Sequence, residues 1–359
     1  MPIVIPLTTG TDTLTGTSSN DTFTSIGSTL NSGDRIIGGG GSDELRLSGG
    51  GTFDLSGVTL TNVQKITLVT TATNTLNVTN AALVNVTSIN GSSGTDTMTT
   101  SEASLDLSRT SVTNWERITT TNTTGTSFII GAGSQLVFGA SGNDTFHLST
   151  QPGSNKSIDG STGTNTLALD SANTYDLTAM SSFTNVQNVT GSIGNDTLIV
   201  DATMLNGFAS VDLGLGSNTL QSNSTTFDIS AKTMTNVQAL NNTSASTTFT
   251  LSSAQLASNG GWLTYITGFG TGNNVTTSGT NLDMSSTSLS NIQQLLSTST
   301  VGTNFKIGTT GGSALTLTGG AGADTFHLTA AQMAAASTLS INGGSGTNSL
   351  VLDTGGRRR

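Results

Sequence analysis

Short runs in which hydrophobic and polar residues alternate recur along the whole chain, and most of them follow a glycine-rich stretch. The clearest pairs of alternating apolar residues are Phe146/Leu148, Leu167/Leu169, Phe326/Leu328 and Leu350/Leu352. A period of two is typical of a β-strand that buries one face. The pattern therefore predicts many short strands separated by turns, with the alternate apolar positions in the core.

The glycine-rich turns set the spacing of these strands. Their strands end at Phe23, Leu47, Met98, Leu148, Leu169, Val200, Leu328 and Leu352. Most neighbouring turns are about 20 to 30 residues apart, which is too short for a βαβ unit. This spacing predicts an all-β fold, a right-handed parallel β-solenoid in which each coil stacks about 4.8 Å from the last. With roughly 20 residues per coil, the chain would form about 15 to 18 coils, a rod on the order of 80 Å long.

A second repeated segment, which we call the DLS cassette, reads Asp-apolar-Ser/Thr, four or five variable residues, and Thr/Ser-Asn-apolar-Gln/Glu. Its five copies begin at Asp54, Asp106, Asp176, Asp228 and Asp283. These starts are 52, 70, 52 and 55 residues apart, so we expect an extra turn or a longer loop in the second interval. The Asn of each copy is expected to adopt the left-handed conformation at a corner of the coil, or to form a side-chain ladder.

The repeats indicate one continuous solenoid over residues 1–359. Within it we distinguish an N-terminal segment, 1–53, with glycine-rich turns, a region of about five repeats of roughly 50 residues, 54–353, and a short tail, 354–359.

Composition supports an ordered extracellular or cytosolic β-protein rather than an average enzyme. Charged residues make up only 9% of the chain, against roughly a quarter in ordinary domains. The net charge of −10 makes nucleic acid and anionic membranes improbable partners and favours metal cations. The chain has no Cys, which does not distinguish the two compartments. It shows neither an N-terminal export signal nor an apolar run long enough to insert into a membrane.

The glycine-rich turns carry the clearest candidate chemistry. Gly-Gly-x-Gly-x-Asp followed by x-apolar-x is the signature of calcium-binding parallel β-rolls, because glycines allow tight turns that direct carbonyl oxygens inward, and Asp adds a hard anionic ligand. The turns that end at Asp43 and Asp324 match in full. Four other turns keep the Asp but lose the second Gly, and the turns ending at Asn165, Asn218 and Asn348 carry a neutral amide instead.

We therefore predict Ca²⁺ as the cofactor. The predicted metal ligands are Asp34, Gly38, Gly39, Gly41, Asp43, Gly319, Gly320, Gly322, Asp324, Asp144, Asp196, Asp96 and Asp21. The best single site combines Asp34 and Asp43 with the carbonyl groups around Gly38 to Gly41, since these two Asp residues have the nine-residue spacing of the repeat. In the incomplete turns, Asp could instead serve only as a turn-forming residue.

The segment LTTGTDTLTGTSSNDTF, followed by GDRIIGGGGSDEL, resembles the start of the calcium-binding repeats in surface-layer and related RTX-type (repeats-in-toxin) proteins of Gram-negative bacteria. The likeness is strongest over residues 7–48 and extends more weakly along nearly the whole chain. The resemblance implies type I secretion without an N-terminal signal peptide, folding outside the cell on meeting Ca²⁺, and a cell-surface location. Family β-rolls, however, repeat the motif in tandem, and the terminal GGRRR is unlike the family's secretion signal.

Other functions fit the sequence less well. His147 and His327 occupy the same place in a repeated DTFHL segment, which indicates a repeat feature rather than catalysis, and the acidic pair Asp201 and Asp212 lacks the basic and aromatic residues of a polysaccharide-cleaving groove. The Thr clusters drift relative to the cassettes, which disfavours an ice-binding face. We predict a non-enzymatic structural protein that assembles with copies of itself into a surface layer or fibre. The alternative is a stalk or binding module of a large adhesin, for which a cell-surface glycan would be the partner.

Overall fold

The computed structural model describes residues 1–131, 136–256, 262–308, 314–334 and 338–353. The fold is all-β, with 43% strand and 6% helix, and its sheets are entirely parallel. It forms a β-solenoid of about 15 turns with a spacing of about 22 residues, which confirms the predicted fold class and coil length. The predicted tail, 354–359, lies outside the described residues.

The strands are short and follow one another in chain order. They are β1 (Val4–Pro6), β2 (Thr13–Thr15), β3 (Thr22–Ile26), β4 (Arg35–Ile37), β5 (Glu44–Ser48), β6 (Gly51–Asp54), β7 (Thr59–Thr61), β8 (Lys65–Leu68), β9 (Asn74–Asn77), β10 (Ser88–Asn90), β11 (Asp96–Thr100), β12 (Ser104–Asp106), β13 (Ser111–Thr113), β14 (Arg117–Thr120), β15 (Ser127–Ile129), β16 (Leu136–Phe138), β17 (Thr145–Leu148), β18 (Ser157–Asp159), β19 (Thr166–Leu169), β20 (Thr174–Asp176), β21 (Ser182–Thr184), β22 (Asn188–Thr190), β23 (Thr197–Val200), β24 (Ser210–Asp212), β25 (Thr219–Ser222), β26 (Thr226–Asp228), β27 (Thr233–Thr235), β28 (Ala239–Asn242), β29 (Thr248–Thr250), β30 (Tyr265–Thr267), β31 (Asn274–Thr277), β32 (Asn281–Met284), β33 (Ser288–Ser290), β34 (Gln294–Ser297), β35 (Asn304–Ile307), β36 (Leu315–Thr318), β37 (Thr325–Thr329), β38 (Leu339–Asn342) and β39 (Ser349–Asp353).

Helices are few and short within the described ranges. The α-helices are α1 (Asn80–Leu83), α2 (Ala202–Gly207) and α3 (Ala330–Ala334), and two 3-10 turns cover Gly27–Thr29 and Leu177–Ala179. In the described part of the chain, no helix has the length and apolar character needed to cross a bilayer.

The chain divides into two compact units. The first comprises Met1–Asp170 and Ala179–Gln187, and the second comprises Ser171–Thr178 and Asn188–Arg359. The strand orders in the first unit are β1-β3-β5-β8-β10-β13, β2-β4-β7, β6-β9-β11-β14-β16-β18-β21 and β12-β15-β17-β19. The orders in the second are β20-β23-β25-β28-β30-β33, β22-β24-β27, β26-β29-β31-β34-β36-β38 and β32-β35-β37-β39.

The core of each unit consists of in-register columns of apolar side chains. In the first unit, for example, Phe23 pairs with Leu45 and Leu45 with Ile66 on successive coils, and all three are fully buried. Aromatic columns stack in the same way, with ring centroids 5.5 Å apart for Phe128 and Phe146. Parallel in-register pairing places equivalent residues of neighbouring coils in contact, which is why the alternating pattern is readable from the sequence.

The DLS cassettes lie where sheets begin and end. The Asp of each cassette lies at the end of the first strand of a sheet, as the last residue of β6, β12, β20 and β26 and the last but one of β32. The Thr or Ser before the cassette Asn ends the last strand of another sheet, namely β7, β13, β21, β27 or β33. At each cassette, therefore, one sheet begins and another ends.

The 70-residue interval between the second and third cassettes contains an additional coil. After Phe53 the chain makes two coil steps, to Leu76 and Met98, before the next cassette. After Leu105 it makes three, and the step from Phe128 to Phe146 spans only 18 residues. This confirms the extra turn expected in the 70-residue interval.

Two local conformations explain the composition of the cassette. Its Asn has a positive φ in every copy, from 53° to 58°, at Asn62, Asn114, Asn185, Asn236 and Asn291, which confirms the left-handed prediction. The leading Asp accepts a hydrogen bond from the backbone N–H two residues later, as Asp54 does from Ser56 at 2.9 Å. Such an Asx turn is a standard use of Asp at a bend.

The last coil departs from the predicted burial. Phe146, Leu148, Leu167, Leu169, Phe326 and Leu328 are buried as expected. Leu350 and Leu352, however, are each 54% exposed, so their prediction as core residues is wrong. They lie in β39, the last strand of its sheet, and no further coil covers their faces in the described part of the chain.

Candidate cation-binding turns

The residue that ends a glycine-rich turn, here called the turn residue, is buried in most of the turns. The turn residues Asp21, Asp43, Asp96, Asp144, Asp196, Asp324, Asn165, Asn218 and Asn273 are at most 1% exposed. Burying a carboxylate is costly unless hydrogen bonds or a positive charge compensate for it. The partners of each carboxylate therefore decide what the turn can bind.

One side-chain oxygen of each turn residue serves a ladder that runs from coil to coil. The backbone N–H of Asp21 donates to Asp43 Oδ1 at 2.7 Å, and the N–H of Asp144 donates to Asn165 Oδ1 at 2.8 Å. The N–H of Asp196 donates to Asn218 Oδ1 in the same way. Asp and Asn are interchangeable at this oxygen because both accept.

The DLS cassettes close these ladders. The final Gln or Glu of a cassette accepts the backbone N–H of the preceding turn residue through its side chain, at 2.6 to 2.8 Å, in the pairs Asp43/Gln64, Asp96/Glu116, Asn165/Gln187, Asn218/Gln238 and Asn273/Gln293. Sequence reasoning missed this role. The constant separation of 20 to 22 residues is the signal that could have revealed it.

The second carboxylate oxygen has a local donor in most Asp turns. Asp21 Oδ2 accepts from the backbone N–H and the hydroxyl of Thr17, at 2.5 and 2.9 Å. The corresponding N–H donors, four residues before the Asp, are Ser92 for Asp96, Ala140 for Asp144 and Ser192 for Asp196. These carboxylates are saturated by the protein's own N–H and O–H groups.

Asp43 and Asp324 are different, because the Oδ2 atom of each is buried and has no hydrogen-bond partner. They are the turn residues of the two complete Gly-Gly-x-Gly-x-Asp motifs. The residue four positions earlier is the second glycine of the motif, Gly39 or Gly320, and its N–H does not donate to the carboxylate. In Gly39 a φ of +94° turns the backbone away from the conformation used by Thr17.

The unpartnered oxygen of Asp43 lies close to a backbone carbonyl oxygen. A β-carbon at Gly38 would overlap both Asp43 Oδ2 and the backbone carbonyl oxygen of Asn62 on the next coil. In the second unit, a β-carbon at Gly319 would likewise overlap Asp324 Oδ2 and the carbonyl oxygen of Gly343. The first glycine of each motif thus leaves room for a carboxylate oxygen and a carbonyl oxygen that both lie near one position.

An Asn turn fills the same position with a donor. The side-chain amide of Asn165 donates to the carbonyl oxygens of Gly160 and Asn185, at 2.8 and 2.9 Å. Asn185 and Asn62 occupy the same place in their cassettes. Where Asn165 presents an N–H group to this carbonyl, Asp43 presents an oxygen.

Two turn carboxylates have shifted pKa values, in opposite directions. Burial raises the pKa of Asp144, and the hydrogen bonds from the backbone N–H groups of Thr126 and Ala140 only partly offset it. Burial also acts upward on Asp21, but hydrogen bonds from Thr17 and Ile3, together with the N-terminal charge, bring its pKa below the usual value of 3.8. Each carboxylate accepts two backbone N–H groups, so the additional hydroxyl group of Thr17 and the N-terminal charge account for the lower pKa of Asp21.

The predicted ligands are distributed over several ladders. Asp21 and Asp43 are adjacent in one ladder, whereas Asp34 belongs to another, in which its Oδ1 accepts the N–H of Asp12 at 2.8 Å. Asp34 Oδ2 accepts from Asn31, so both of its oxygens are partnered. The strands that follow Asp34 and Asp43, β4 and β5, belong to different sheets.

The predicted glycines lie against neighbouring coils. A β-carbon at Gly41 would overlap the backbone of Ser19, and one at Gly322 the backbone of Gly302. Within the described ranges, no three His, Asp or Glu side chains form a cluster that could hold a metal ion. A cation in these turns would therefore depend on backbone carbonyl groups.

The two histidines form equivalent pairs. His147 Nδ1 lies 2.8 Å from Asp170 Oδ1, and His327 Nδ1 lies 2.9 Å from Asp353 Oδ1. Both pairs join neighbouring coils at the sheet surface, as expected for a repeat feature.

Comparison with known proteins does not assign the chain to a family. No protein-family model matches the chain, and no curated protein matches it significantly.

Proposed function

We propose that this chain is a non-enzymatic structural protein of a bacterial cell surface, ordered by Ca²⁺ and able to assemble with copies of itself into a layer or fibre. The single observation that supports it best is the unpartnered, buried Oδ2 atom of Asp43 and of Asp324. A positive charge between a buried carboxylate oxygen and a nearby carbonyl oxygen would stabilise both. Ca²⁺ prefers such carboxylate and carbonyl oxygens.

The proposed ligands follow from that geometry. Asp43 and the carbonyl group of Asn62 would hold one ion, and Asp324 and the carbonyl group of Gly343 would hold another. The ion would neutralise the carboxylate and tie one coil to the next. Asp21, Asp96, Asp144 and Asp196 already have donors on both oxygens, and we assign them to the ladders rather than to an ion.

A structural role suits the remaining surface. Polar residues occupy most outward positions of the sheets, as in the pairs Thr22/Thr24 and Ser88/Asn90. Parallel in-register coils let such a protein present long, regular faces to a neighbour. An extracellular location is part of the proposal, because millimolar Ca²⁺ is the condition under which weak sites of this type fill.

Circular dichroism and light scattering on the purified full chain test the proposal. The chain is treated with EGTA and titrated with CaCl₂, and MgCl₂ at equal ionic strength is the control. We expect strand signal, thermal stability and particle size to rise with Ca²⁺ and to fall again with EGTA. A chain that is folded, monomeric and indifferent to both reagents would contradict the calcium-ordered assembly and would favour the adhesin stalk.

A further inference from the structure

The last described coil, which contains β38 and β39, has two strands with an open outer edge. Each is the final strand of its sheet within the described residues. Their inward residues Ile341 and Leu350 are 39% and 54% exposed, whereas Leu317 and Phe326, with which they pair on the preceding coil, are buried. This coil therefore offers a partly apolar face together with unpaired backbone groups.

The first coil, which contains β1 and β2, has the same kind of face on its opposite side. Each of these strands is the first of its sheet within the described residues. Their inward residues Ile5 and Leu14 are only half-buried, although Phe23 and Ile36, their partners on the next coil, are fully buried. Both open faces lack the neighbouring coil that covers the core between them and the next layer.

The two open faces have the same register. Ile341 and Leu350 are nine residues apart, and so are Ile5 and Leu14. Placing β1 on β38 and β2 on β39 therefore stacks both apolar pairs at once. The strands stay parallel in this arrangement, as they are throughout the sheets of the fold.

The ladder of turn residues continues across the same contact. Asn348, the turn residue before β39, accepts the backbone N–H of Asp324 at 2.9 Å. Asp12 holds the corresponding place before β2 and donates its own N–H to Asp34 Oδ1. Stacking β2 on β39 would bring the N–H of Asn348 opposite the carboxylate of Asp12. Each oxygen of that carboxylate accepts a hydrogen bond from Thr8 and has a lone pair left for a second.

The backbone groups of the two edges also correspond. The hydrogen bonds between β2 and β4 use the backbone groups of Asp12 and Gly16, which leaves those of Thr13 and Thr15 at the free edge. Both residues can offer an N–H and a carbonyl group to β39. In β1, Pro6 has no N–H group, so the pair of β2 with β39 has the more complete set of hydrogen bonds.

We infer that a second copy of this chain docks its first coil on the last described coil, with β2 parallel to β39 and β1 parallel to β38. The inference rests on the proposed self-assembly and names the surfaces that carry it. Because the two surfaces differ, the contact is head-to-tail, and its repetition adds further copies in series. The competing occupants of this face are residues of the same chain beyond 353 and a protein of different sequence.

Cysteine cross-linking of the full chain tests the docking, since the chain has no cysteine of its own. Thr15 and Val351 directly follow Leu14 and Leu350, so they would be opposite each other on the outer surface of the contact. The double variant Thr15→Cys/Val351→Cys is treated with a short bis-maleimide in CaCl₂ and separated by denaturing electrophoresis. We expect a series of dimers, trimers and larger multimers, at about ten times the yield of either single variant, because docking raises the effective concentration of the paired thiols.

The matched control combines Thr15→Cys with Ile193→Cys. Ile193 is an apolar residue of the second unit that is 87% exposed and lies outside β38 and β39. This pair should give no series of multimers. All the substituted side chains are on the surface, so the melting temperatures should match that of the unaltered chain.

Three results would overturn the docking. Cross-linked dimers from Thr15→Cys alone or from Val351→Cys alone would mean that like faces meet. A monomeric double variant would leave the face to another occupant: the chain's own residues if a maleimide dye cannot reach the thiol of Val351→Cys, and a different protein if it can. Particles that grow with Ca²⁺ in light scattering but do not cross-link would refute this contact and leave the proposed function standing, whereas an absence of growth would refute the self-assembly itself.

Discussion

Asp43 and Asn165 occupy equivalent turns of the first unit. Both polar side-chain atoms of Asn165 have hydrogen-bond partners, whereas Asp43 Oδ2 has none. Each donates its backbone N–H to the Gln of the following cassette, and each faces the carbonyl group of a left-handed Asn. Asn165 donates its side-chain amide to that carbonyl, whereas Asp43 opposes it with an unpartnered oxygen. The comparison shows that an amide satisfies such a turn by itself, whereas the carboxylate of Asp43 leaves one oxygen without a donor.

The largest expected effect is that of Asn165→Asp, which replaces the donating side-chain amide with a carboxylate. The new carboxylate would face the carbonyl groups of Gly160 and Asn185 in a buried site, and an uncompensated buried charge costs roughly 3–5 kcal/mol. We expect the free energy of unfolding in EGTA to fall by about that amount, as measured by urea denaturation. Partial recovery in CaCl₂ would show that the change creates a cation site, and an unchanged stability in EGTA would contradict the account.

Replacing the side chain that closes a ladder should lower the free energy of unfolding by a smaller amount. Gln187→Met would leave the buried backbone N–H of Asn165 without an acceptor, at a cost of roughly 1–3 kcal/mol. Gln187→Glu is the matched control, since Glu116 closes the ladder below Asp96 with a carboxylate oxygen. Denaturation curves should separate the two variants. Equal losses of stability would mean that the acceptor is not what matters.

The reciprocal change, Asp43→Asn, should stabilise the chain when Ca²⁺ is absent. The new amide would donate to the Asn62 carbonyl, as Asn165 does to Asn185, and the gain in EGTA should be about 1–3 kcal/mol. The same substitution at Asp196 is the control. There the amide would meet the N–H and hydroxyl donors of Ser192, so stability should fall. A loss of stability in both variants would remove the distinction between the two kinds of turn.

The smallest expected effect is on how the stability of the fold depends on pH, and its sign differs between Asp21 and Asp144. The lowered pKa of Asp21 means that its ionised form stabilises the fold above pH 3.8, and that this contribution disappears as the pH falls through the lowered value. The raised pKa of Asp144 means that ionisation opposes folding, with a penalty that is absent below pH 3.8 and grows as the pH rises through the raised value. Carboxyl-carbon NMR titration should find the pKa of Asp21 below 3.8 and that of Asp144 above it. The reverse order would contradict the roles assigned to the Thr17 hydroxyl group, the N-terminal charge and burial.

Much of the fold was predictable because in-register stacking repeats each feature of the sequence. The period of two at Phe146 and Leu148, the coil length and the additional coil before Asp176 all follow from spacing. The positive φ of Asn62 and its four equivalents follows from residue type. The division into two units and the position of the cassettes at sheet ends did not follow, because strand pairing between distant residues leaves no local pattern.

The candidate site was predictable only in part. Glycine and Asp spacing singled out Asp43 and Asp324, and their unpartnered oxygens lend weight to that choice. Asp34 matched the spacing equally well, but its oxygens already have donors from Asp12 and Asn31. Whether a carboxylate is saturated depends on backbone N–H groups four residues away and one coil away, and residue identity does not reveal where those groups point.

Isothermal titration calorimetry of CaCl₂ into the EGTA-treated and desalted chain tests the central claim most directly. The unaltered chain is compared with Asp43→Asn, with Asp324→Asn and with the double variant. The account predicts that each single variant loses part of the Ca²⁺ heat, that the double variant loses the heat of both turns, and that all three stay folded without Ca²⁺. Equal Ca²⁺ binding by the unaltered chain and the double variant would contradict it.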